Sequence, residues 1–289
     1  MTAATPLPAT PLPATPLPAT LPTGDRVGED HGLRVTQLRV LRSEWTKFRS
    51  LRSTLWTLLI AAVLMTGLGA GIAAITVNQP EGLAPGETAI STSLTGTFIA
   101  QLAIGALGVL MITGEYSTGM IRSSLTVVPR RLPVLWAKLV VVAVTVFAAL
   151  FVAGYAAFGV GQAILSGKHL NVPLTDPAAP AAVLGAALYL TVGALTGLAL
   201  GALLRNTAIA ITIFVAVFFV IPPLTNLLPA AWTAHFVQYL PSNAGAMMLG
   251  GSTYGVVNPL TPVTGFVVMC APMLVLTGLA AWRLRRFDA

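Results

Sequence analysis

Residues 134–165 read VLWAKLVVVAVTVFAALFVAGYAAFGVGQAIL, with Lys138 near the start as the one charged residue. A helix rises about 1.5 Å per residue, so roughly 20 apolar residues cross the ~30 Å hydrocarbon layer. This run is longer than that, and it is expected to tilt or to project beyond the bilayer. Five further runs of the same character lie near 55–77, 94–113, 180–204, 208–228 and 262–282. The reading is an all-α integral membrane protein with six transmembrane helices. Within the fifth run, Pro222 and Pro223 are expected to break the helix before its end, leaving carbonyls that need neighbours or water.

Composition agrees. Hydrophobic residues make up 55% of the 289 and charged residues 9%, with a mean hydropathy of +0.83, whereas a soluble domain carries about a quarter charged residues. The apolar runs are separated by short polar gaps, so the chain divides into one membrane domain, residues 33–289, and a tail, residues 1–32. The tail repeats PLPAT three times between Pro6 and Thr20, which favours extended polyproline conformations and predicts a disordered Pro-rich segment. It has neither the basic start nor the apolar stretch of a secretory signal. Cys270 stands alone in an apolar run, so no intrachain disulfide forms.

The formal net charge is +7. In a soluble chain that would raise nucleic acid as a partner; here the positives flank hydrophobic runs and read as topology signals. Fifteen of the sixteen Lys and Arg residues fall in the tail and residues 33–54, the second gap with the start of the third span, the fourth gap or the C-terminus, leaving Lys168 on the other side. By the positive-inside rule both termini are cytoplasmic.

Residues 33–54 place Leu38, Leu41, Trp45, Phe48, Leu51 and Leu55 at the three-and-four spacing of one helical face, with arginines, Arg49 and Arg52 among them, mostly on the other. This predicts an N-terminal amphipathic helix lying in the headgroup plane of an anionic leaflet. The last outer gap, 229–261, carries no formal charge and includes Trp232, Phe236, Tyr239, Met247, Met248 and Tyr254. It is too apolar for an ordinary loop and too broken to span, which predicts short outer helices, re-entrant or interfacial.

Chemistry is sparse. Glu115, Lys138 and Arg205 sit at span ends, where long side chains are expected to reach water, and the middles of the spans lack Asp, Glu and Arg. That disfavours a proton-coupled carrier. His31, His169 and His235 are scattered and none belongs to an HExxH helix. Gly161 to Lys168 approaches a phosphate-binding loop but is one residue too long, and His169 replaces the required Ser or Thr. The chain is therefore expected to be no enzyme, to bind no metal and no cofactor, and to hold no ATP by that motif. Glycines four apart, including Gly67 and Gly71, and Gly185, Gly193, Gly197 and Gly201, with Gly69 between the first pair, predict close helix packing.

The second gap is the most informative: Gly114-Glu115-Tyr116-Ser117-Thr118-Gly119-Met120-Ile121-Arg122-Ser123-Ser124-Leu125, then Pro129-Arg130-Arg131. A carboxylate at its start favours a helix N-terminus, and Tyr116, Met120, Ile121 and Leu125 with Arg122 beside them make a contact surface. Here the chain resembles the ABC-2 type ABC transporter permease family, whose loop between spans two and three reads approximately E-Y/F-x-x-G-T-hydrophobic/R-R, then a Leu-rich stretch, Pro and Arg. Glu115, Tyr116, Gly119, Ile121, Arg122, Leu125, Pro129 and Arg131 match, with Met120 where Thr is commoner. Glu44-Trp45-Thr46-Lys47-Phe48-Arg49-Ser50-Leu51-Arg52 is similar to the segment that leads these permeases into their first span.

The resemblance covers about residues 33 to 286. It implies a cytoplasmic coupling helix, comprising Glu115, Tyr116, Gly119, Met120, Ile121, Arg122 and Leu125, seated on a separate ABC ATP-binding subunit that holds ATP and Mg. It also implies a second permease subunit, in a homo- or heterodimer, and a plasma-membrane location with multiple spans. The implied function is that of the permease subunit of an exporter of apolar or amphipathic compounds. An ion-coupled secondary transporter, or a membrane enzyme or assembly scaffold, is the alternative that the residues leave open.

Overall fold

A computed structural model describes residues 37–80, 82–83, 87–117, 132–229, 235–250 and 259–286. The PLPAT tail, Gly119 to Leu125, Pro129 to Arg131, Trp232 and Tyr254 lie outside the described residues. Those described are helical, with no strand among them. In chain order the helices are α1 (Gln37–Ser50), α2 (Arg52–Asn78), α3 (Ala89–Leu94), α4 (Thr97–Ser117), α5 (Leu132–Leu165), α6 (Ala178–Leu204), α7 (Thr207–Leu224), α8 (Pro241–Ala246) and α9 (Pro262–Arg286). Six segments are long and apolar enough to cross a bilayer: α2, α3 with α4, α5, α6, α7 and α9.

Helix α6 is the axis. It packs on α4, α5 and α9, and Leu190, Ala194 and Leu198 along it are fully buried. Where α4 crosses α6 the backbones nearly touch: a Cβ added at Gly108 would land on the Ala194 carbonyl, and one added at Gly197 on the Gly105 carbonyl. Only residues without side chains permit that approach, which lets dispersion forces act over the whole crossing. Of the glycines expected to pack, Gly69, Gly185, Gly193, Gly197 and Gly201 meet neighbours, whereas Gly67 and Gly71 face open space.

Three local expectations are corrected. The amphipathic segment is not one helix from 33 to 54: Leu51, at φ −82° and ψ 102°, is extended, so α1 ends at Ser50 and α2 starts at Arg52. The buried face of α1 is Val40, Glu44 and Phe48, which packs on α5, while Leu38, Leu51 and Leu55 are exposed. Trp45 is exposed on one flank and stacks on Phe48 at 6.5 Å.

The second span is entered earlier than its apolar run suggests. Thr88 caps α3 by accepting from the Ser91 N–H at 3.1 Å, and Ser91 returns the bond to the Thr88 N–H, so the chain turns into the bundle ahead of Leu94. In α7 the two prolines do not end the helix. A π-helical turn, Ala216–Val220, precedes them, with the Ile221 N–H donating five residues back to the Ala216 carbonyl. Prolines at 222 and 223 offer no N–H to the preceding turn and their rings crowd it; widening that turn accommodates them.

At the end of the bundle holding Lys168, Gln162 joins α5 to α3. Its amide donates to the Ala89 carbonyl at 2.9 Å and to Ser93 Oγ at 3.0 Å, and its oxygen accepts from the Val172 N–H at 2.7 Å. The last gap forms short helical pieces at 237–239, 241–246 and 247–249. Met247, Met248 and Leu249 are buried there and Tyr239 is exposed, and Thr88 Oγ1 donates to the Gly250 carbonyl at 3.1 Å.

Candidate functional site

At the opposite end of the bundle, α1, α4 and α5 converge on four charges. Lys138 Nζ lies 2.7 Å from Glu44 Oε2 and 2.9 Å from Glu115 Oε1; Lys47 Nζ lies 2.8 Å from Glu44 Oε1 and 3.5 Å from Glu115 Oε1. The signs alternate around a closed ring and cancel. Glu44 and Lys138 side chains are each 4% exposed, so Lys138 does not reach water in the way expected of a residue at a span end.

The ring also corrects the reading of Glu115. It does not open a helix but lies in the last turn of α4, where the dipole of the helix disfavours an anion; Lys138, in the second turn of α5, is likewise at the wrong pole for a cation. Each charge offsets the other's misplacement. Burial pushes the Glu44 carboxyl up, but the Lys138 charge and the hydrogen bonds from Lys138 and Lys47 outweigh it and hold the group below its ordinary value. Burial pushes the Lys47 ammonium down, and Glu44 and Glu115 outweigh that and raise it.

Next to Glu115, the Tyr116 ring packs against the bundle core, with the Arg205 guanidinium 5.2 Å from its centroid. Arg205 caps α6 in the left-handed region, at φ +56°, and its N–H donates to the Gly201 carbonyl at 2.9 Å. That position usually takes Gly or Asn, and a long side chain there costs about 1–3 kcal/mol; here the side chain clasps the end of α4. Arg283 of α9 donates to the Leu203 carbonyl in the same turn of α6. The last two described side chains before residues 118–131 able to make strong contacts, Glu115 and Tyr116, are thus fixed to α1, α5 and α6.

Of the residues singled out from sequence, Glu44, Lys47 and Glu115 come together in the ring and Tyr116 beside it. Trp45, Arg49 and Arg52 point away and are exposed. Gly119, Met120, Ile121, Arg122 and Leu125 lie outside the described residues. Lys138, which the sequence marks only as a charge at a span end, is a ring member. Gln101, which belongs to no motif, is buried between α4 and α6, where Tyr189 Oη donates to its Oε1. A side-chain amide within an apolar span is the signal that marks it. Among the described residues no group of three or more His, Cys, Asp or Glu is arranged to hold a metal.

The sequence profile of a family described as "ABC-2 family transporter protein" matches residues 40–237. The match takes in the charge ring, the Tyr116–Arg205 clasp and five of the six spans. No curated protein matches the chain. With more than half its length matched, and six helices able to cross a bilayer, this multi-pass membrane protein belongs to the ABC-2 family of transporters and has the role of a transport permease.

Proposed function

We propose that the chain is the permease subunit of an ATP-driven exporter, powered by a separate ABC ATP-binding subunit that contacts Gly119, Met120, Ile121, Arg122 and Leu125 on the cytoplasmic side of the plasma membrane, with Glu115 and Tyr116 rooting that segment in the bundle. The observation that carries this reading is the anchoring of the α4 end. A push on the segment that leaves α4 at Ser117 reaches α1 and α5 through the Glu44–Lys138–Glu115 pairs and α6 through Arg205. A segment tied at its root to three helices can move them as one body, which is what alternating access requires.

Orientation follows from charge: the ring end carries the arginines of α1 and the basic last turn of α9, and the other end carries Lys168. Both termini are then cytoplasmic. The working unit pairs this permease with a second copy or a related subunit, and ATP and Mg belong to the ATPases. The spans present uncharged surfaces, which favours an apolar or amphipathic cargo.

The test is co-expression with an ABC ATPase subunit. Met120→Glu and Ile121→Glu each place a charge on the proposed contact, and each is expected to abolish co-purification while the permease still elutes as a single species. Retention of the ATPase by both variants, with transport intact, would overturn the assignment.

A further inference from the structure

Between α1, α2, α4 and α5 the charge ring forms one wall of a cavity of about 510 Å³, within the range that encloses small ligands. The remaining wall is of two kinds. Leu107, Leu110, Met111 and Val142 give an apolar side, and Ser50, Ser53 and Thr57 give hydroxyls close to the break at Leu51. Leu51 and Leu110 are exposed as well as lining it, so the cavity opens sideways onto the apolar surface that faces lipid. A site with a polar floor, an apolar side and a lateral mouth suits a molecule with a headgroup and a chain.

The sign of the headgroup follows from what lies outermost. Lys138 is buried between the two carboxylates, whereas the Lys47 side chain is 33% exposed. The lining residues Ser53 and Thr54 lie in the first turn of α2, which begins without a side-chain cap. The part-exposed ammonium and the helix N-terminus both favour an anion at the mouth. We propose that this cavity binds one phospholipid from the adjacent leaflet, its phosphate against Lys47 and its first methylenes along Leu107, Leu110 and Met111. The proposal rests on membrane insertion and needs no ATPase partner, so it and the coupling contact fail independently.

Gly114 supplies the test, since it lines the cavity and a Cβ added there meets nothing within 4 Å. Gly114→Phe therefore starts its side chain from open space and puts a ring into the cavity region. The full chain is reconstituted in nanodiscs of equal phosphatidylglycerol and phosphatidylcholine, transferred to detergent, and weighed by native mass spectrometry. The wild-type chain is expected to retain one phospholipid and to prefer the anionic one about tenfold, because both headgroups offer a phosphate to Lys47 but the choline ammonium brings a second positive charge beside it. Gly114→Phe should lose that lipid by at least about tenfold. Lys47→Gln should level the preference, and Lys47→Arg should keep it, which separates headgroup recognition from general loosening of α1. Equal retention by the wild type and Gly114→Phe would overturn the proposal. So would indifference to headgroup charge, or displacement of the lipid by soluble glycerol phosphate, which would make the site one for free phosphate.

Discussion

Helices α4 and α6 meet along small residues, Gly108 against the Ala194 carbonyl and Gly197 against that of Gly105, whereas the same α4, two turns further on, meets α1 and α5 through two carboxylates and two ammoniums. The first joint depends on shape. Its attraction is the sum of many weak contacts at one spacing, and any slide opens a void. The second depends on pairing. Its charges are tolerable in the interior only while every one has its counterpart, and the same groups can separate without leaving a hole of fixed form. One part of α4 is therefore held by fit, and the other by charges that tie it to α1 and α5.

The largest effect is expected where pairing is broken on one side only. Lys138→Met leaves Glu44 and Glu115 with only the part-exposed Lys47 between them, and removing one partner of such a buried pair costs about 3–5 kcal/mol. Thermal unfolding in detergent micelles should fall accordingly. Combining Lys138→Met with Glu44→Gln and Glu115→Gln removes the three buried charges, leaves only the part-exposed Lys47, and should restore most of the loss. If the single change is as mild as the triple, the ring is not the joint described.

The glycine joint should respond to volume and not to charge. Gly197→Leu drives a side chain into the Gly105 carbonyl, and overpacking of this kind costs about 1–3 kcal/mol. Gly67→Leu, with nothing nearby, controls for the substitution itself. Equal unfolding midpoints for the two variants would show that α4 and α6 do not touch as closely as their backbones imply.

The two joints also differ in how far they can be read from sequence. Hydropathy shows that there are six helices long and apolar enough to span, because lipid forbids a charge in mid-span wherever the helix is placed. The glycine spacing in α6 was visible, yet Gly67 and Gly71 in α2 have the same spacing and face open space; which face meets a neighbour is decided by the rest of the bundle. The ring was not visible. Glu44, Glu115 and Lys138 are far apart in sequence, and a carboxylate that ends an apolar run looks the same whether it opens a new helix or closes the old one. The prolines of α7 misled in the opposite direction, since the wide turn that accommodates them begins several residues earlier at Ala216 and has no signature of its own.

The smallest expected effect asks whether the glycine joint owes anything to hydrogen bonding. Tyr189 donates to Gln101 Oε1, but Gln101 Nε2 has no partner among the described residues, so the amide is half satisfied. Interhelical hydrogen bonds in membranes contribute about 0.6 kcal/mol on average, and an unpaired donor offsets that gain. Gln101→Leu removes that unpaired donor but leaves the buried Tyr189 hydroxyl without its acceptor, an exchange that should change the unfolding midpoint little. Tyr189→Phe should cost more, because it leaves both ends of the amide unpaired, and adding Gln101→Leu to it should recover the difference. That order of the three variants assigns the α4–α6 contact to packing. The reverse order, with Gln101→Leu the most damaging, would mean that a buried polar pair holds the two helices and that the glycines only make room for it.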